Sequence, residues 1–413
     1  MNPIPLFATL LALFAPLAPE ENWAEFRGSN GAGHSTATNL PTRWSETQNV
    51  RWKTAIPGKG WSSPVIWKDQ IWLTTATDDG KQMFLVALSK KTGKILTNQL
   101  VFENPRPESV HEINSYASPT PAIEEGRVFV HFGTYGSACY DTRTFKNLWS
   151  RRDLTCQHQV GPGSSPILYG NSVILTLDGM DVQYLIALNK KTGQTLWKTQ
   201  RSLDLAKIEM DRRKAFTTPV LTESHGQPLI ISVGGHAAYA YDARNGKEVW
   251  IYQSKGFSGS CRPLLSNGLL YMNVGFGEYE SLRVVKLGGL GDVTQTHTAW
   301  KYSRNVPNKP SMLLVEDLLY FVNDDGGMVT CLEAQTGKEV WKERVGGKYS
   351  ASPLYANGVI YLFDEAGKSL ILKPGRTFQR LNENRLDAGC MATPAISGNA
   401  LFIRTKTHLY RVE

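Results

Sequence analysis

A chain of 413 residues, 41% of them hydrophobic and 20% charged, can build a large apolar core, which excludes a disordered or fibrous class. The 45 basic and 37 acidic residues give a formal charge of +8 with no polybasic run, which excludes nucleic-acid binding as the reading of the charge. The cysteines number five, and they lie far apart without a C-x-x-C pair, so no disulfide framework is expected.

In chain order, the first element is the apolar run Leu6 to Ala18, which is as long as a signal-peptide core and too short to span a bilayer. Residues 1–18 are therefore predicted to be a signal peptide, although no Lys or Arg precedes the run. Residues 19–49 follow as an N-terminal extension that contains the Gly-rich stretch "RGSNGAGHS". That stretch neither follows a strand nor opens a helix, so it is not a phosphate cradle. "NVRWKTAI" then predicts a strand at Val50–Ile56 that has no partner of its own nearby.

From there a unit repeats. A proline opens an apolar strand, a polar turn follows, and a second apolar strand returns, as in "SSPVIWKDQIWLTT", "SSPILYGNSVILTL" and "ASPLYANGVIYLFD". The prolines are Pro64, Pro121, Pro166, Pro219, Pro263, Pro310, Pro353 and Pro394, at spacings of about 41 to 57 residues, as propeller blades require. Each unit continues into a third strand and a tight turn. "ALSKKTGKILTN" from Ala87, "ALNKKTGQTLWK" from Ala187, "AYDARNGKEVWI" from Ala240 and "CLEAQTGKEVWK" from Cys331 share one plan. Trp149, Trp197, Trp250, Trp300 and Trp341 recur on the outer strand, where a flat side chain can wedge between adjacent sheets. Blade one has Thr97 in that place, and blades five and seven have eroded turns, "KLGGLGDVTQTHTAW" and "LKPGRTFQRLNENRL".

The predicted fold is all-β: an eight-bladed propeller of four-stranded antiparallel blades occupying residues 50–413. The last unit has room for only three strands, so Val50–Ile56 is expected to complete it and close the ring. The charged insertion Arg201–Phe216 is expected to form a short helix over one face and is the best partner contact outside the central funnel.

The repeated A-x-D-x-x-T-G-x-x-x-W phrase resembles the tryptophan-docking motif of pyrroloquinoline-quinone (PQQ)-type propellers. With "NWAEFRGSNGAGHS", "NSYASPTPAI" and "GCMATPAISGNALFIRTKTHLYRVE", the chain resembles secreted PQQ-like repeat proteins of the planctomycete type. That group belongs to the quinoprotein alcohol dehydrogenase-like superfamily and is related to the barrel-assembly scaffold BamB. The resemblance implies either a cofactor-free scaffold or a dehydrogenase with PQQ and calcium in its funnel. The chain lacks the adjacent cysteines of the dehydrogenases and the lipid-anchor cysteine of the scaffold.

In such rings the loops leading into each innermost strand line the funnel. The candidates are Trp61 and Ser62; His111, Glu112, Asn114 and Tyr116; His158 and Gln159; Phe216; Arg262; Lys309; Tyr349; and Met391. Arg262 and Lys309 are cations able to face a carboxylate, and Trp61, Tyr116 and His158 complete the cofactor-binding candidates. Glu112 and Asn114 are oxygen donors for a hard cation. Asp178 and Asp181 in "LDGMD" are read as a turn, as is "NDDGG" from Asn323. The expected function is a non-catalytic binding or assembly scaffold, periplasmic or secreted and monomeric. It would carry no cofactor and would hold an envelope protein or peptide through its loop face and funnel. The alternative is a quinoprotein oxidoreductase.

Overall fold

The computed structural model describes residues 22–276 and 282–413; the expected signal peptide lies outside them. Eight sheets radiate from one axis, each antiparallel in its four main strands. Blade one shows the pattern: Val65–Trp67 is innermost, then Gln70–Ala76, Gln82–Ser89 and Ile95–Glu103 outward. Burial falls along that order, so Gln70–Ala76 is almost wholly covered while Ile95–Glu103 alternates and ends largely exposed. The core is accordingly a set of clusters between neighbouring blades. Among the described residues no helix is long and apolar enough to cross a membrane.

The ring closes as expected. Val50–Ala55 pairs antiparallel with His408–Val412, placing Lys53 opposite Tyr410, and so becomes the fourth strand of the last blade. The first and last strands of the propeller are thereby tied into one sheet, and the edges they would otherwise leave open are paired.

The repeated turn joins blades. At Gly93, Gly193, Gly246 and Gly337 the backbone has φ between 70° and 74°. A Cβ at these positions would meet Trp52, Trp149, Trp197 and Trp300 of the preceding blade at 2.6, 2.7, 2.4 and 2.4 Å. Glycine is thus required twice, for the left-handed turn and for the indole lying on it. The indole N–H groups of Trp52, Trp149 and Trp300 donate to the carbonyls of Lys90, Lys190 and Ala334, at 3.2, 2.9 and 3.1 Å.

Three local expectations change. The eroded turn of blade five forms a fifth strand, Gly291–Asp292, parallel to Glu248–Gln253 of blade four, with Gly291 opposite Trp250. The longer turn thus reaches its neighbour through backbone pairing. Blade six begins at Leu313, with Ser311 and Met312 in the places that Thr393 and Pro394 occupy elsewhere, so Pro310 does not lead its strand. The insertion Arg201–Phe216 holds one 3-10 turn, Met210–Arg212, in place of the expected short helix. Buried Asp178 explains part of the difference. It takes the Arg201 guanidinium at 2.6 and 3.0 Å and pins the insertion's start to blade three.

Candidate functional site

The residue two places before each inner strand contributes to a belt around the axis. The backbone N–H of Ser63 donates to Thr120 Oγ1, that of Thr120 to Ser165 Oγ, and that of Ser165 to Thr218 Oγ1, each at 2.9 Å. Arg262 N–H donates to Ser311 Oγ, Ser311 N–H to Ser352 Oγ and Ser352 N–H to Thr393 Oγ1, again at 2.9 Å. Small hydroxyl residues are needed there because eight strands crowd one axis and each buried N–H must find an acceptor. Arg262 interrupts the run, since it offers no hydroxyl to Thr218.

The N-terminal extension closes one mouth of the channel. Trp23 exchanges backbone hydrogen bonds with Ile66 of blade one at 2.9 and 2.8 Å, and Ala24 accepts from Ile123 of blade two at 2.9 Å. Arg262 of blade five donates to the carbonyl of Phe26 and meets the Glu25 carboxylate at 3.3 Å. Arg27 donates to Met312 O of blade six at 2.7 Å, and Tyr355 of blade seven donates to Gly33 O at 2.8 Å. The chain then runs out along blade seven, where Trp44 packs on Tyr361 and Phe363. The Gly-rich stretch is explained by this path. A Cβ at Gly31 would strike the Arg262 guanidinium at 2.4 Å and one at Gly33 would strike Arg27 at 2.6 Å.

Above the plug lies a cavity of about 600 Å³ to which all eight blades contribute. Phe26 of the plug is among its lining residues and lies on the plugged side, so the propeller is a cup rather than a tube. Trp61, His111, Asn114, Phe216, Lys309 and Met391 line it, as the position of the lead-in loops predicts. Lys309 pairs with Glu365 at 3.0 Å, and its backbone N–H is held at 2.9 Å by the carboxylate of Asp324. Burial raises Glu365, but hydrogen bonds from Ser350 and Lys309 outweigh it and hold the carboxyl below its ordinary range. Burial moves Asp324 the other way, upward.

The other candidates sit elsewhere. Arg262 lies beneath the cup against Pro219, Phe26 and Glu25. Tyr116 is buried with its hydroxyl on Glu108 O at 2.7 Å. His158 accepts from Thr134 N–H at 3.2 Å, and burial brings its pKa down to about 4. Its neighbour Cys156 is a buried thiol 3.3 Å from the ring, pushed well above the ordinary range, and is inert as a nucleophile. Glu112 is exposed and does not line the cavity. Asn114 lines it, but its Oδ1 already accepts from Ser115 N–H at 2.8 Å and Ser118 Oγ at 2.5 Å. Glu112 thus does not join Asn114 at the cavity.

Reading the lead-in loops alone missed Lys214, Phe257, Phe276 and the belt residues among the lining. The belt was visible as the Ser or Thr before most of the strand-opening prolines. Phe26 had no signal of this kind.

The fold and its axial cup define an eight-bladed β-propeller of the PQQ-repeat type. The family described as outer membrane protein assembly factor BamB matches residues 42–274, 181–322 and 294–388, and the chain belongs to that family. The chain is 22% identical over 205 residues to outer membrane protein assembly factor BamB of Alkalilimnicola ehrlichii, a stretch that covers 49% of this chain and 38% of the relative. Among solved structures, BamB from Moraxella catarrhalis superposes with a TM-score of 0.62 at 13% identity, covering 88% of this chain and 99% of that one. Quinohemoprotein alcohol dehydrogenase from Comamonas testosteroni gives 0.66 at 11% identity, with 95% and 80% covered. At these identities the structures speak for the fold alone.

Proposed function

We propose that the protein is an exported, non-catalytic binding or assembly scaffold of the cell envelope that presents its lead-in loops and cup to a protein or peptide partner. The observation that carries this reading is that Arg262 and Lys309 are neutralised within the chain, by Glu25 and Glu365. Aromatic side chains and hydroxyls make up most of the remaining lining of the cup. Membership of the BamB family supports the same reading.

The quinoprotein alternative would set PQQ and calcium in this cup. Among the described residues that line it, none is Asp or Glu. A hard cation needs six to eight oxygen ligands, carboxylates foremost, and the described lining does not fit that requirement.

Two measurements test the proposal. Titration of the purified protein with PQQ, with and without calcium, is expected to give neither saturable binding nor dye-linked alcohol oxidation; turnover would overturn it. A photo-crosslinking residue at exposed Ile113, on the loop face, is expected to capture one defined envelope protein in cells. Fractionation to the cytoplasm, or no specific adduct, would count against the scaffold role.

A further inference from the structure

We infer that the cup takes an apolar or aromatic body carrying one carboxylate, and that Lys214 meets the acid group. This rests on reading the cup as a binding site. Lys214 is only 5% exposed, yet it lines the cavity. Its ammonium donates to the backbone carbonyl of Asp211, and no ion pair to Lys214 is found among the described residues. Burial lowers its pKa against the pull of the exposed Asp211 carboxylate, so it lacks full compensation. Lys309, the other lysine of the lining, already has Glu365 at 3.0 Å.

An ammonium on a largely covered side chain, whose one nearby carboxylate is the exposed Asp211, is under-compensated, and a ligand carboxylate would relieve it through a charge-assisted hydrogen bond. The ionisable groups of the described lining, His111, Lys214 and Lys309, are all basic, which disfavours a cationic ligand. A polyanion is disfavoured as well, because one of the two lysines is already neutralised. Phe26, Phe216, Phe257, Phe276, Trp61 and Met391 surround the rest of the space, and its volume of about 600 Å³ suits a small ligand or one terminal side chain. With Phe26 closing the far end, the ligand enters from the lead-in loops and stops at the plug.

Calorimetric titration of the intact protein with 2-naphthylacetate and with its neutral amide tests the assignment. The acid is expected to bind one to one and at least about tenfold more tightly than the amide, as a charge-assisted hydrogen bond allows. Lys214→Met is expected to bring the acid down to the level of the amide, and Lys214→Arg to restore most of the preference. Thermal unfolding checks that both variants fold. Equal affinity for acid and amide, or a preference that survives in Lys214→Met, overturns the inference while leaving the cup as a binding site. Absence of any binding removes the cup reading and this inference with it. A parallel pair of N-acetylated peptides ending in Phe, one with a free carboxylate and one amidated, separates the sources. A preference confined to the small acid points to a free metabolite, and the same preference in the peptides points to a chain terminus.

Discussion

Thr97 and Phe145 are complementary exceptions to one rule. Thr97 stands opposite Ala87, as Trp197 stands opposite Ala187, so it occupies the docking position of blade one. Phe145 donates its N–H to Asp141 O at 2.9 Å, as Gly193 donates to Asn189 O at 2.8 Å, so it occupies the receiving position of blade two. Where the indole is missing, the glycine is missing too, and the Phe145 ring packs on Trp72 with centroids 5.7 Å apart. The interface is filled from the opposite side.

A double-mutant cycle tests this exchange. Thr97→Trp alone is expected to destabilise by about 1–3 kcal/mol through overpacking against Phe145. Phe145→Gly alone is expected to cost about 1–2 kcal/mol, since the packing lost by a half-buried ring is offset in part by relief of its positive φ of 59°. Together they rebuild the docking pair, so the double mutant should be more stable than the sum by at least about 1 kcal/mol. Additive losses in urea unfolding would show that the two sites are independent.

The docking glycines differ from ordinary turn glycines. Gly193 has φ 72° and a Cβ there would lie 2.7 Å from Trp149, whereas Gly126 has φ 80° with nothing within 4 Å. Gly126→Ala is expected to cost about 1 kcal/mol, the backbone penalty alone. Gly193→Ala adds the displaced indole and should cost about 2–4 kcal/mol. Denaturant midpoints at constant slope check the difference, and equal losses would remove the steric part of the argument.

The plug depends on Glu25. Arg262 has a side chain 2% exposed, and Glu25 is its carboxylate partner. Glu25→Gln is expected to lower stability by about 1–3 kcal/mol, because the guanidinium stays buried with weaker compensation. Tryptic cleavage after Arg27, which is buried in the intact fold, should accelerate. An unchanged cleavage rate would mean that backbone pairing alone seats the plug.

Acid should weaken the fold through His131. Its ring is buried with Nδ1 2.8 Å from Ser137 Oγ, and burial lowers its pKa to about 3. The unfolded state therefore binds the extra proton between about pH 6.5 and 3, and stability falls as pH drops through that window. The slope from this group approaches about 1.4 kcal/mol per pH unit. Thermal unfolding from pH 7.5 to 4.5 should be less pH-dependent in His131→Asn than in the wild type, and parallel curves would assign the acid loss elsewhere.

The blades were legible because their information is local. A hairpin, its turn and its docking tryptophan fall within about fifty residues, and turn chemistry with alternating burial specifies each strand without reference to the rest of the ring. Ring closure by Val50–Ala55 was legible as well, from a strand without a partner and a last blade without a fourth strand. The axis was not. Arg262 and Glu25 are 237 residues apart, and no local pattern shows that a cation in a lead-in loop turns away from the funnel towards the extension. The insertion that carries Lys214 follows no repeat, so its burial depends on where Phe216 and Phe257 fall around the ring. Sequence alone determined that there would be eight blades and how they would dock, since those contacts join neighbours. Tertiary structure decided which side chains meet at the centre and which charges arrive already paired, because that convergence needs all eight blades in place.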